Sequence, residues 1–174
     1  MITGRPTPNR TEALELLQQG GLLELGQWAD AIRRERHPQN RVTFVVDRNV
    51  NYTNVCESRC SFCAFYRDID AADAYLLDYE AIFAKIAELV ERGGTQLLMQ
   101  GGLHPEIGIE YFENLFREIK RRFPLVQNHS LSPAEICHLA DRHTLSIKEV
   151  LSRLKLAGLD SVPGGGAEIL VDEV

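Results

Sequence analysis

The chain alternates short apolar β-type runs with amphipathic helical stretches, and this rhythm restricts its fold more than any other feature. VTFVVD (42–47) is a β-branched and aromatic run expected as a buried first strand. Residues 79–91 place Ile82, Phe83, Ile86, Leu89 and Val90 on one helical face, which ends at Gly93-Gly94. QLLMQ (96–100) is a second strand, and Tyr111, Phe112, Leu115, Phe116 and Ile119 mark a second helix stopped near Pro124. VQNHSL (126–131) is a weaker third strand, followed by two helical pieces. The later of these opens with Ser146-x-x-Glu149 as a capping box and closes on Gly158. LDSVP (159–163) is expected as a fourth strand running into GGGAEIL. Strand and helix alternating four times predict an α/β fold with a parallel sheet, its crossovers right-handed. Four such units are half of an eight-stranded TIM-type barrel, so the expectation is a partial barrel whose second half this sequence does not include. Such an open half-sheet is expected to expose an edge and to self-associate if made alone.

Ahead of the alternation lies a separate region, residues 1–40. Its first ten residues, rich in Pro, Thr and Asn, read as a loose leader, and the pattern from Thr11 to about Arg36 is helical with a break at Gly20-Gly21. Residues 41–174 then form the half-barrel. A net charge of −6 argues against nucleic acid as a partner, because phosphate binding needs a positive face. No apolar run approaches the roughly 20 residues of a membrane span, and MITGRPTPNRTEA lacks the apolar core of a secretory signal. The expectation is a cytoplasmic protein with neither membrane nor nucleic-acid partner, in a reducing setting where clustered cysteines bind metal more often than they pair.

Three of the four cysteines fall in NVCESRCSFCAFYR (54–67), at Cys56, Cys60 and Cys63. Structural zinc normally takes four ligands in two close pairs, and no second pair matches this one. A disulfide leaves one thiol over and suits the wrong compartment. An iron–sulfur cluster with three thiolate ligands fits the count and leaves one iron open to a small molecule. The loop follows the first strand, at the rim of a parallel barrel where active sites sit.

The spacing C-x3-C-x-aromatic-C, with Phe62 as the aromatic residue, resembles the signature of the radical S-adenosylmethionine enzymes. That resemblance implies a radical SAM partial barrel, with Cys56, Cys60 and Cys63 holding a [4Fe-4S] cluster. S-adenosyl-L-methionine would chelate the fourth iron and be cleaved by one electron to a 5′-deoxyadenosyl radical. NYTNVCESRCSFCAFYR, LLMQGGLHPE, SLSPAEI and LKLAGLDSVPGGGAEIL are similar to the menaquinone-pathway branch that handles futalosine derivatives, and within it to the dehypoxanthine futalosine cyclases. Aminofutalosine synthase and the FO synthase subunits are the sister readings, and a non-catalytic metal-binding module is the rival from another class. The implied reaction takes a hydrogen from the substrate ribose, closes a ring on the aromatic base, and then loses an electron and a proton. It also implies an electron donor such as flavodoxin or ferredoxin.

The same resemblance assigns further residues, each with a plainer alternative. Gly101 and Gly102 end the second strand and would present backbone to the cofactor, although a glycine pair is also simply a turn, and Leu103 stands where an acidic residue is usual. His104 is a proton-acceptor candidate, or a solvated loop histidine. Ser130 and Ser132 are substrate-contact candidates with Glu135 beside them, while Ser132-x-x-Glu135 by itself is a capping box with Pro133 just inside. Glu168, after Gly164-Gly165-Gly166, would bond the ribose or methionine part of the cofactor, or lie solvated on a turn. Arg67 would hold a substrate carboxylate or sit at the surface. Tyr52 and Tyr66 would shield the cluster. Cys137 reads as a buried small apolar residue rather than a ligand.

Overall fold

The computed structural model describes residues 8–39 and 41–165. The chain divides into two compact units, Met1–Phe44 and Val45–Val174. The first contains α1 (Arg10–Gln19) and α2 (Leu22–Arg36). Asn9 starts α1 with a closed capping box, accepting from the Glu12 amide while the Glu12 carboxylate accepts from the Asn9 amide, both at 3.0 Å. Three arginines, Arg33, Arg34 and Arg36, occupy the last turn of α2, where cations complement the helix dipole.

The second unit runs β1 (Asp47–Asn51), α3 (Tyr79–Glu91), β2 (Gln96–Gln100), α4 (Ile109–Arg122), β3 (Gln127–Ser130), α5 (Pro133–His143) and α6 (Ile147–Ala157). The strands form one parallel sheet in the order β1-β2-β3, with Asp47 opposite Gln96 and Gln96 opposite Gln127. The expected second strand and both of its flanking helices are present. The expected first strand is displaced: β1 starts at Asp47, and 42–46 is irregular. β-propensity is overridden here by register, since Asp47–Asn51 is the stretch that pairs with Gln96–Gln100. The anticipated fourth strand is reduced to one parallel bridge between His129 and Ser161, and 166–174 lie outside the described residues.

One face of the sheet carries the core. Val50, Leu97 and Met99 pack under Ile82, Phe83, Ile86 and Leu89 of α3 and Ile109, Phe112, Leu115, Phe116 and Ile119 of α4. α5 adds Ile136, Leu139 and Ala140, and α6 adds Val150, Leu154 and Ala157. Val90, expected on the buried face of α3, is exposed because it lies about 100° around the helix from Leu89. The residues between the buried strand positions, among them Asn49, Asn51, Gln100 and His129, point to the opposite face by the two-residue repeat. That face is polar and partly exposed. No helix among the described residues is long and apolar enough to cross a membrane.

Candidate active site

The cysteine loop leaves β1 through Tyr52 and Thr53, both buried, and is held at each end by main-chain bonds. Leu77 N–H donates to Tyr52 O (2.8 Å), the Thr53 hydroxyl donates to Tyr75 O (2.6 Å), and Cys56 N–H donates to Arg67 O (3.1 Å). Cys63 N–H donates to Cys60 O (3.0 Å), closing a turn between the last two cysteines of the triad. Arg59 takes a left-handed φ of 47°, uncommon away from glycine, and its guanidinium pairs with Asp68 at 2.6 Å.

All four cysteines are unpaired; Cys56 and Cys63 are half-buried and Cys60 is exposed. Among the described residues no three His, Cys, Asp or Glu side chains converge on a single-ion site. The number and spacing of three thiols on one pinned loop, rather than two close pairs, suit the corners of a cluster better than a closed zinc cage. Phe62 is 90% exposed. Beside Cys63, a cavity of about 520 Å³ is lined by Ala64, Tyr66, Arg67, Asp68, Asp70 and Ala71.

The end of β2 lies directly against this loop. A Cβ on Gly102 would fall 2.1 Å from Val55 O and 2.7 Å from the Cys56 Cβ, and one on Gly101 would strike the Tyr52 ring at 2.6 Å. The glycines are thus required by packing within the chain itself. Gly102 N–H donates to Thr53 O (3.3 Å) and Glu57 N–H to Leu103 O (3.0 Å), which joins the two segments.

The other sequence candidates are placed less openly. His104 is only 6% exposed; its Nδ1 accepts from the Glu106 amide at 3.1 Å, and burial lowers its pKa, favouring neutral imidazole. Ser130 is fully buried, with its hydroxyl bonded to Asn128 Oδ1. Ser132 accepts from the Glu135 amide as the N-cap of α5. Arg67 bonds Asp73 at 2.7 Å and donates to Tyr66 O at 2.8 Å, so its guanidinium already ties the loop. Glu168 lies outside the described residues. Cys137 is exposed rather than buried, since α5 turns Ile136, Leu139 and Ala140 inward.

Glu135 is the residue whose placement the sequence did not disclose. It is buried (3% exposed), and its Oε1 accepts from the Tyr52 hydroxyl at 2.7 Å and from the Gly101 amide at 3.2 Å. Burial pushes its carboxyl up to about 7, and burial together with this neighbouring carboxylate holds Tyr52 well above the usual phenol range. Tyr52 and Glu135 are 83 residues apart, a contact that only the tertiary fold creates.

Comparison with known proteins accords with this geometry. Over 162 residues the chain is 48% identical to the cyclic dehypoxanthine futalosine synthase of Halalkalibacterium halodurans, covering 93% of this chain and 44% of that protein. It is 45% identical over 170 residues to the synthase of the same name from Streptomyces coelicolor, covering 96% and 42%. A 5-amino-6-(D-ribitylamino)uracil–L-tyrosine 4-hydroxyphenyl transferase from Cyanothece is 44% identical over 171 residues, covering 94% and 45%. The chain therefore spans less than half the length of each of these relatives. The solved structure of a methylornithine synthase matches 87% of this chain and 53% of its own with a TM-score of 0.57; at 16% identity it establishes a shared fold. The Radical SAM superfamily profile matches residues 50–169, from the end of β1 through the cysteine loop and the sheet, and the chain belongs to that superfamily.

Proposed function

We propose that this chain carries the cluster-binding part of a radical S-adenosylmethionine cyclase that converts dehypoxanthine futalosine to its cyclic form in menaquinone biosynthesis. The observation that carries the reading is the triad of unpaired thiols on one pinned loop, in a chain 48% identical to a synthase of that name. When bound, a [4Fe-4S] cluster and S-adenosyl-L-methionine supply a carbon-centred radical that abstracts hydrogen, chemistry that belongs to the cofactor. Cys56, Cys60 and Cys63 hold the cluster in this reading. Phe62 and the Gly101–Gly102 main chain border the cofactor, with Glu168 assigned to the same group. The cavity beside Cys63 receives part of the cofactor or substrate, and Arg67 steadies its wall through Asp73. Ser132 serves through α5 rather than by direct contact, and Ser130 through Asn128. His104, buried and neutral, keeps the β2 end in place and is a proton acceptor only through an opening of that end. A flavodoxin or ferredoxin in the cytoplasm would provide the electron.

A second reading is favoured by the 44% identity to the ribitylaminouracil–tyrosine hydroxyphenyl transferase. Anaerobic reconstitution with iron and sulfide, followed by incubation with S-adenosylmethionine and each substrate set, tests both. Cyclic product from dehypoxanthine futalosine supports the first reading, and turnover of the uracil and tyrosine pair alone selects the second. A colourless, zinc-loaded protein that never cleaves S-adenosylmethionine refutes both.

A further inference from the structure

The chain contains the same local pattern twice, Ser-x-x-Glu at the start of a helix, and the two copies behave differently. At α6 the box closes: Ser146 accepts from the Glu149 amide at 3.2 Å, and the Glu149 carboxylate returns to the Ser146 amide at 2.8 Å. At α5 the serine half is present and Ser132 still lies beside the Glu135 carboxyl, but the box does not close and the carboxyl takes its hydrogen bonds inside the protein. There its Oε1 accepts from the Tyr52 hydroxyl and the Gly101 amide, while its Oε2 is buried without a hydrogen-bond partner. The space around it, bounded by Tyr52, Gly102, His104 and His138, is only about 10 Å³. That admits one water at most and no ligand. A buried carboxyl with an orphan oxygen is costly where an exposed capping carboxylate is not. Its principal contacts lie away from the cap of α5.

Those contacts define what the carboxyl holds. Gly101 follows the last residue of β2, so its amide has left the parallel ladder, and Glu135 is the acceptor that receives it. The following residues grip the cysteine loop: Gly102 donates to Thr53 O, Leu103 O accepts from the Glu57 amide, and Gly102 has backbone and Cys56 Cβ where a side chain would be. Tyr52, the second donor to Glu135, is the residue by which that loop leaves β1. We propose that Glu135 is a positioning residue that reaches from the third strand–helix junction and fixes the Gly101–Leu103 main chain against the Cys56 end of the cysteine loop. It touches neither cofactor nor substrate; it sets the relative position of two segments that do so in the reading above, on which this inference rests for its catalytic meaning.

The test uses Glu135→Gln, Glu135→Asp and Glu135→Ala in the reconstituted protein, with three readouts: iron per chain, amide exchange at Gly101, and S-adenosylmethionine affinity from the spectral change of the reduced cluster. Gln retains an acceptor oxygen at the Oε1 position, so it keeps Gly101 exchange and cofactor affinity within about twofold of the parent. Asp is shorter by one methylene and loses its reach; like Ala, it speeds Gly101 exchange and weakens cofactor binding by roughly tenfold each, the worth of one hydrogen bond. Iron content and melting temperature of the Asp variant stay close to the parent. An Asp variant with parental Gly101 exchange, or with parental cofactor affinity, overturns the proposal, as does a Gln variant as impaired as Asp. If the unsubstituted protein takes up iron but binds no S-adenosylmethionine, the functional reading fails while Gly101 exchange still decides the positioning role.

Discussion

Replacing Glu135 by Gln makes the protein's stability less dependent on pH, and the size of the effect follows from where the carboxyl sits. Burial raises its pKa from 4.5 to about 7 in the folded state. Between those values the folded protein holds a proton that the unfolded chain has released, so stability from this group is fully present below about pH 4.5 and is lost as pH rises through about 7. Going from pH 5 to pH 8, the loss amounts to about 1.8 pKa units of linkage, or about 2.5 kcal/mol. Gln mimics the neutral acid and carries no such penalty. Tyr52 faces the carboxyl directly, and His104 and His138 border the same small cavity, but all three are unchanged between parent and variant. The acidic groups held down by partners elsewhere, such as Glu113 beside Arg153, cancel in the same comparison. Urea denaturation of both proteins under reducing conditions at pH 5 and pH 8 reads the difference. The Gln variant should gain about 2.5 kcal/mol on the parent over that interval. Two stability curves that stay parallel, or a parent that gains on the variant with rising pH, would refute the claim that Glu135 is desolvated and protonated near neutrality.

Gly102→Ala drives a methyl group into Val55 O and the Cys56 Cβ, so the first cysteine has to shift; iron bound per chain after reconstitution should fall to well under half of the parent. Phe116→Ala, at a fully buried position of α4, should cost about 3–5 kcal/mol in the same urea assay, without altering the spectrum of whatever cluster is bound.

Much of this chain was legible without coordinates wherever local chemistry and periodicity agree. Tyr79–Glu91 carries a three-to-four repeat closed by Gly93-Gly94, and Gln96–Gln100 is a short apolar run between Gly94 and Gly101; both elements form where those signals place them. Ser146 and Glu149 close their box because nothing nearby competes for the carboxylate. The cysteine triad was equally legible, since the number and spacing of thiols within one loop are properties of the chain alone.

What the chain alone left undetermined are features set by partners distant in sequence. VTFVVD has the stronger β-propensity, yet DRNVN is the strand, because register with β2 selects it and because its other face meets no core that would demand apolar residues. Ser132-x-x-Glu135 is locally the same signal as Ser146-x-x-Glu149, yet Tyr52 and the Gly101 amide, brought in from two other strands, draw the first glutamate inward. Gly101 and Gly102 read as a turn or a ligand cradle, and only packing revealed that Tyr52 and Val55 already occupy the space a side chain would need. The sequence by itself determined the periodic elements and the spacing of the thiol triad proposed to hold a cluster. The tertiary structure decided how the loop bearing those ligands is held, because the groups that hold it meet only when three strand ends are brought side by side.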